Sequence, residues 1–402
     1  LFTSGINYVL RVQKVSCRIT NITQKRIKKS ALRAKKTLLH QCGMIWRFKN
    51  SSHIYLPEII FKFTKETSIM KDLIKWGMIG CGDVTEVKSG PAFSKVPNSR
   101  LVAVMSRNPE RAADYARRHQ IARWYDDALK LIEDPEVNAI YIATPPLSHE
   151  ELSLAAFEAG KPVYVEKPMA LNALASRNMQ RAAEETGLKL TVAHYRRQQP
   201  VFLKIKSLID QGAIGTVKQV KLEFVAAALS VKALADPKTA WRVDPAISGG
   251  GLFHDLAPHQ LDLMLYFFGE VEQAMGVSAN QNTLYAADDL VSGVIKFKNK
   301  VIFSGNWNFS ASPGEESDRC EIIGSEGRLI FPVFGKPGIE LRRNGKQESI
   351  SFEPLMHVQQ PMIEATVRYF LDEGTNPGTG IDGIEVMRLI EQFSNNTNRS
   401  AV

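Results

Sequence analysis

Only four cysteines occur in 402 residues, Cys17, Cys42, Cys81 and Cys320, and no two of them form a C-x-x-C pair. That scarcity excludes a disulfide scaffold and matches a reducing, cytoplasmic compartment. Long apolar runs are also missing: none approaches the roughly 18 uncharged residues that a membrane-spanning helix requires. The chain therefore reads as soluble, with no membrane partner. With 44% hydrophobic residues it is too apolar for a disordered chain and has enough material for two or three buried cores.

Acidic residues are scarce in one stretch only. Residues 1–69 hold 14 Lys and Arg against Glu58 and Glu66, a balance of +12, whereas residues 70–402 hold 37 basic against 40 acidic residues, a balance of −3. The overall charge of +9 therefore belongs to the first stretch and says nothing about an anionic partner for the rest. No steady period of 2 or 3.6 runs through residues 1–69, so no core face emerges there. They read as a basic leader, disordered or non-native, with Met70 as the natural start. A targeting segment is the rival reading, and a nucleic-acid arm rests on charge alone.

From residue 70 the pattern alternates. An apolar run at residues 74–79 ends in Gly80-Cys81-Gly82-Asp83-Val84-Thr85, and a helix-compatible segment continues towards Val96. A second run, residues 101–105, leads to Asn108-Pro109, a cap followed by a first-turn proline. Further strands are expected at residues 137–143, 162–165 and 188–193, with a helix at 149–159. Strands alternating with helices imply a doubly wound α/β domain with a parallel sheet over residues 70–193.

In the glycine turn, Gly80 permits the tight bend, Gly82 lets backbone approach a pyrophosphate, and Thr85 stands where a third small residue would pack. Cys81 has no activating histidine beside it and reads as a small residue. NAD-binding turns carry an acid about 20 positions on that grips the ribose 2′-hydroxyl. This chain has Ser106-Arg107-Asn108 instead, a hydroxyl, a guanidinium and an amide suited to a 2′-phosphate. NADP is accordingly favoured over NAD.

Beyond residue 194 the strands run in series, at 217–227, 270–279, 290–297, 301–309, 321–323, 328–331 and 339–342, with helices at 202–211, 255–268, 361–373 and 383–393. Residues 194–402 thus form an α+β domain with a large, mostly antiparallel open sheet, and a cleft is expected between the two domains.

Chemistry concentrates in two stretches. In Gly249-Gly250-Gly251-Leu252-Phe253-His254-Asp255-Leu256-Ala257-Pro258-His259-Gln260-Leu261-Asp262, the residues Asp255, His259 and Asp262 fall at i, i+4 and i+7. On a helix they share a face, so that a carboxylate can orient the imidazole and leave its other nitrogen to take a proton. A core histidine tied to a carboxylate is the alternative. In Glu166-Lys167-Pro168 an ammonium stands at the end of a parallel strand, where ligands bind in such sheets. Taken alone, Lys167 reads as a solvated charge and Pro168 as a loop residue. No metal site is read, since His254 and His259 have no third ligand at a suitable spacing.

Together these motifs resemble the glucose-fructose oxidoreductase / inositol dehydrogenase / rhizopine-catabolism (Gfo/Idh/MocA) family of NAD(P)-dependent oxidoreductases. Ile79-Gly80-Cys81-Gly82, Ala143-Thr144-Pro145-Pro146 with His149, Glu166-Lys167-Pro168, Arg197 with Pro200, the 249–262 segment and Glu321-Ile322-Ile323-Gly324 carry the resemblance over residues 73–395. It implies a Rossmann domain, a substrate domain whose sheet forms a homodimer or homotetramer, and a sugar or polyol substrate. Lys167, Asp255 and His259 match the catalytic positions: His259 as the proton acceptor, Asp255 orienting it, Lys167 stabilising the oxyanion. The cofactor would lie along Ile79, Gly80, Cys81, Gly82, Asp83, Val84, Ser106, Arg107, Thr144, Pro145, Pro146, His149, Glu166, Lys167 and Arg197. Tyr195, Arg196, Trp241 and Arg242 are the substrate candidates; Trp241 can stack on a pyranose or simply be buried. A catalytically silent NADP-binding sensor of the same fold is the competing function.

Overall fold

The computed structural model describes residues 73–394; the basic leader lies outside them. Six strands form the first sheet: β1 (Ile74–Ile79), β2 (Ser99–Met105), β3 (Arg123–Tyr125), β4 (Ala139–Ile142), β5 (Val163–Val165) and β6 (Leu190–Val192). They are all parallel and run in the order β3-β2-β1-β4-β5-β6. The order reverses between β1 and β4, which opens a crevice at the strands' C-terminal ends.

Period-2 alternation explains why both faces are covered. Trp76, Met78, Tyr141 and Tyr164 point into one buried cluster, while Ile79, Ile140, Ile142, Val163 and Val165 point into another. The intervening helices are α1 (Pro109–Arg118), α2 (Ala128–Glu133), α3 (His149–Glu158) and α4 (Ala173–Thr186). Asn108 Oδ1 accepts the Arg111 amide at 2.9 Å with Pro109 in the first turn, as the sequence indicates. For α4 no element is read from sequence, although Asn172 caps it and Gly187, left-handed at φ +68°, closes it.

One local expectation fails. Instead of a helix towards Val96, the glycine turn continues as a wide π-type turn, Val84–Lys88, and a short 3-10 turn, Gly90–Ser94. Pro91 removes an amide donor, and at Gly90 a Cβ would sit 2.1 Å from Tyr115 Oη and 2.3 Å from the Thr85 carbonyl. Gly90, not Thr85, is therefore the residue whose smallness lets this segment pack.

The second sheet has eight strands: β7 (Val217–Ala227), β8 (Val271–Ala279), β9 (Leu290–Phe297), β10 (Ile302–Ala311), β11 (Ser317–Gly324), β12 (Gly327–Phe331), β13 (Gly338–Arg343) and β14 (Lys346–Ser351). Their order is β14-β13-β12-β11-β7-β10-β9-β8, antiparallel throughout except for the parallel β7–β10 pair. Helices α5 (Pro200–Asp210), α6 (Val231–Ala235), α7 (Pro237–Val243), α8 (Pro245–Ser248) and α9 (Gly251–Phe268) precede or interrupt it, and α10 (Gln360–Phe370) and α11 (Gly380–Phe393) follow it. Val220, Leu222, Ile295, Phe303 and Trp307 bury one sheet face against Leu261 and Met264 of α9 and Met387 and Ile390 of α11.

Chain order groups α10 with the second sheet, yet Met362, Ile363, Val367 and Phe370 pack with Trp76, Phe93 and Tyr164 on the first. The C-terminal segment thus returns to the first sheet. Among the described residues no helix is long and apolar enough to cross a membrane.

Candidate active site

The glycine turn closes the C-terminal end of β1. Gly80 takes φ +110°, and a Cβ there would lie 2.7 Å from the Ala143 carbonyl, so the turn and the end of β4 touch only because that side chain is missing. Above Gly82 the space is open: a Cβ would meet nothing within 4 Å. The two glycines therefore differ in purpose, one serving the fold and one leaving room for a ligand. Cys81 is buried between them, and burial, helped by the charge of Glu86, pushes its thiol up to about 12, so it is not a nucleophile.

Four expected cofactor residues prove to be braces that shape the crevice. The His149 ring spans the Thr144 carbonyl at 2.8 Å and the Pro168 carbonyl at 3.0 Å, tying the end of β4 to the turn after β5. Burial pushes this imidazole below its ordinary value. Thr144 is held by Ser148 Oγ, which donates to Thr144 Oγ1 at 2.8 Å. Glu166 is buried, and its Oε1 accepts from Tyr141 Oη and Gln359 Nε2, both at 2.6 Å. Arg197 departs furthest from expectation: it is buried and its guanidinium is committed to Asp262 and Asp382, at 2.7 and 3.1 Å. Two carboxylates from α9 and α11 take its donors, so it clamps those helices together.

Ile79 is buried, Pro146 is buried, and Val84 and Pro145 are half-buried along the crevice edge. Asp83 is exposed and lies 3.5 Å from Lys238 of α7, an ion pair that spans from the glycine turn to the second sheet's insertion. At the end of β2, the Ser106 hydroxyl accepts the Asn108 amide at 3.3 Å. Arg107 is exposed and makes no ion pair among the described residues, so its guanidinium is available.

Lys167 crosses from β5 to the N-terminal turns of α9. Its Nζ donates to the Asp255 carbonyl and to Asp255 Oδ1, both at 2.8 Å, and Arg242 Nε donates to Asp255 Oδ2 at 3.2 Å. Arg242 in turn stacks on Trp241, 4.7 Å from the ring centroid. Burial acts to raise the Asp255 carboxyl, but the Lys167 and Arg242 charges overcome it and hold the group below the usual carboxylate range.

Asp255 therefore does not orient His259. Helical spacing puts both on α9, but the carboxylate is drawn to two cations, and His259 Nδ1 is buried without a hydrogen-bond partner. Asp262 likewise serves Arg197 and lies 3.6 Å from His194 Nδ1. What positions the His259 ring is aromatic packing, with Tyr195 at 5.0 Å and Phe334 at 5.6 Å, both edge-on. Burial first, then the charges of Lys167, Arg196, His194 and Lys88, pushes this imidazole well below its ordinary value. It is neutral at ordinary pH, the form that accepts a proton.

Sequence reasoning missed His194, Tyr141 and Gln359. His194 follows the end of β6, the correct sheet edge, and so carried a usable signal; Gln359 lies 193 residues from Glu166 and carried none.

Family models agree with this architecture. Residues 74–194 match an oxidoreductase family model described as an NAD-binding Rossmann fold, and residues 202–330 match the GFO/IDH/MocA C-terminal domain. Oxidoreductase P35 of Formosa agariphila is 46% identical over 324 residues, 81% of this chain and 99% of that protein. The chain belongs to the Gfo/Idh/MocA family. It is an NAD(P)-dependent oxidoreductase. A second relative within reach of this Gfo/Idh/MocA chain is levoglucosan dehydrogenase of Pseudarthrobacter phenanthrenivorans, 30% identical over 288 residues, 64% of this chain and 72% of that protein. A solved levoglucosan dehydrogenase in complex with NADH and levoglucosan shares the fold, with a TM-score of 0.71 at 23% identity over 80% of this chain and 95% of the other.

Proposed function

We propose that the protein moves a hydride between NADP and a sugar or polyol, oxidising a hydroxyl or reducing the matching carbonyl. The observation that carries the reading is the Lys167–Asp255 pair at 2.8 Å, which joins the C-terminal edge of the first sheet to the helix that also carries the neutral His259. The residues present fit a dinucleotide: the open space above Gly82 would accommodate a phosphate close to backbone, and Arg107, exposed at the end of β2 with no ion pair among the described residues, would hold a 2′-phosphate. When bound, the nicotinamide supplies the hydride acceptor or donor.

The chain's own residues do the rest. His259 takes the hydroxyl proton at its ring nitrogen, Lys167 stabilises the developing oxyanion through its ammonium, and Asp255 holds that ammonium in place. Arg242, stacked on Trp241, fixes the second oxygen of Asp255. A sugar substrate is supported by the levoglucosan dehydrogenase relative. The exposed Met275, Val277 and Val294, which share the outer face of β8 and β9, support self-association through the second sheet.

Fluorescence titration with NADPH and NADH, followed by turnover on sugars, ketoses and polyols, tests the reading. Tighter NADPH binding with turnover is expected. Tighter NADH binding would overturn the NADP preference, and tight binding without turnover would favour the sensor.

A further inference from the structure

A cavity of about 380 Å³, a size typical of small-molecule sites, lies on the far side of two rings that touch His259; His259 itself is not part of its wall. Tyr195 and Phe334, the two rings that stand edge-on to the His259 imidazole, form part of its wall together with Phe202. Two cations, Lys88 and Arg196, face the same space, and Glu353, on the exposed rim, is the one acid among the lining residues.

Arg196 is the unusual member. Its guanidinium sits 4.5 Å from the Phe334 ring centroid, 5.6 Å from Tyr195 and 6.0 Å from Phe202. Nη1 donates to the Val333 carbonyl, and Nε is buried with no hydrogen-bond partner. Among the described residues it makes no ion pair. Asp318 is close enough for its charge to be felt, but its carboxylate already accepts the amides of Val333, Phe334 and Gly335. The contrast with the next residue is direct: Arg197 pairs with two carboxylates, whereas Arg196 meets aromatic faces, the Tyr195 side chain and one carbonyl.

Withdrawing a cation from water without a direct ion pair is costly, and cation–π contacts and the more distant Asp318 charge return only part of that cost. An anion entering the cavity would supply a direct partner through charge-assisted hydrogen bonds. A neutral hydroxyl would not. Lys88, exposed and without an ion pair among the described residues, lies on the wall of the same cavity.

We propose that this cavity receives the anionic group of the substrate, so that the enzyme acts on an acidic monosaccharide, with a carboxylate, sulfate or phosphate at Arg196 and Lys88. The inference rests on the sugar-oxidoreductase reading above and narrows its substrate class.

Isothermal calorimetry on the full chain, with and without NADPH, tests it with matched pairs: a hexuronate against its hexose, an aldonate against its alditol, a hexose sulfate and a hexose phosphate against the hexose. At least one anionic member is expected to bind about tenfold or more tightly than its neutral partner. The pair that shows the preference identifies the anion. Arg196→Met should abolish the preference; Lys88→Met, at an exposed position where folding is not at risk, should reduce it several-fold. Equal binding within every pair, or a preference that survives both substitutions, would overturn the proposal. Turnover of neutral sugars without anionic preference would leave the oxidoreductase reading standing, whereas anionic preference without NADPH or NADH binding would overturn that reading alone.

Discussion

The two walls of the crevice handle charge in opposite ways. On the first-sheet side, the crevice edge is open backbone at Gly82 and one ammonium, Lys167, whose charge is matched by Asp255. On the α9 side, His254 and His259 are buried and held neutral, and Arg196, half-buried in the turn after β6, makes no ion pair among the described residues. The comparison teaches where free energy is stored. The paired cation costs the fold little and is ready to act, while the neutral histidines and the lone guanidinium are kept in states that solvent would not choose.

Breaking the α9 wall should have the largest effect. His259→Ala removes the proton acceptor and should lower kcat by about a hundred- to ten-thousandfold, with cofactor affinity in fluorescence titration changing far less. Breaking the matched cation on the other wall comes next: Lys167→Met should cost about a hundred- to a thousandfold in kcat, while Asp255 keeps Arg242 and the fold is retained by circular dichroism. Near-normal turnover in either variant would remove that residue from the mechanism.

A pH titration sharpens the comparison. Burial pushes His254 down to about 4 from an ordinary 6.5. Below pH 6.5 the unfolded chain gains a proton that the folded chain refuses, so stability is full above 6.5 and falls as the pH falls towards 4. The loss from this group alone should reach roughly 3 kcal/mol in urea titrations, and His254→Asn should flatten the slope. The same direction holds for His149, His194 and His259.

The smallest effect separates the two glycines. Gly82→Ala meets no neighbour and should leave Tm unchanged while weakening the dinucleotide on the order of tenfold, equivalent to about 1.4 kcal/mol. Gly80→Ala forces a Cβ against the Ala143 carbonyl at a left-handed φ and should lower Tm first. If both variants behaved alike, the distinction between fold and ligand at this turn would be lost.

Legibility in the sequence followed the range of the forces involved. Strands such as β1, β7 and β9 are visible because alternation and apolar runs are local, and the Asn108 cap reaches only three residues. β3 has three residues, all at least partly exposed, and the edge strand β14 is polar along most of its length, so neither announces itself. Helices α6, α7 and α8 are four to seven residues long, too short for a periodic signal.

For the site, residue types and their helical spacing were written in the chain: a lysine at a strand end, a carboxylate and an imidazole four apart on α9, two glycines in a turn. Their partners were not. Asp255 chose Lys167, 88 residues away, over His259, because a carboxylate gains more from an ammonium and a guanidinium than from a neutral ring. Arg197 was drawn to Asp262 and Asp382, and Arg196 was left without an ion pair while Asp318 accepts the amides of Val333, Phe334 and Gly335. The sequence by itself determined the two-sheet architecture, the glycine turn and the identity of the groups that line the crevice, since those depend on local conformational preference. Which charges cancel and which remain for a substrate was decided only by tertiary structure, because electrostatic pairing depends on distance in space and on burial, and neither is a property of neighbouring residues in the chain.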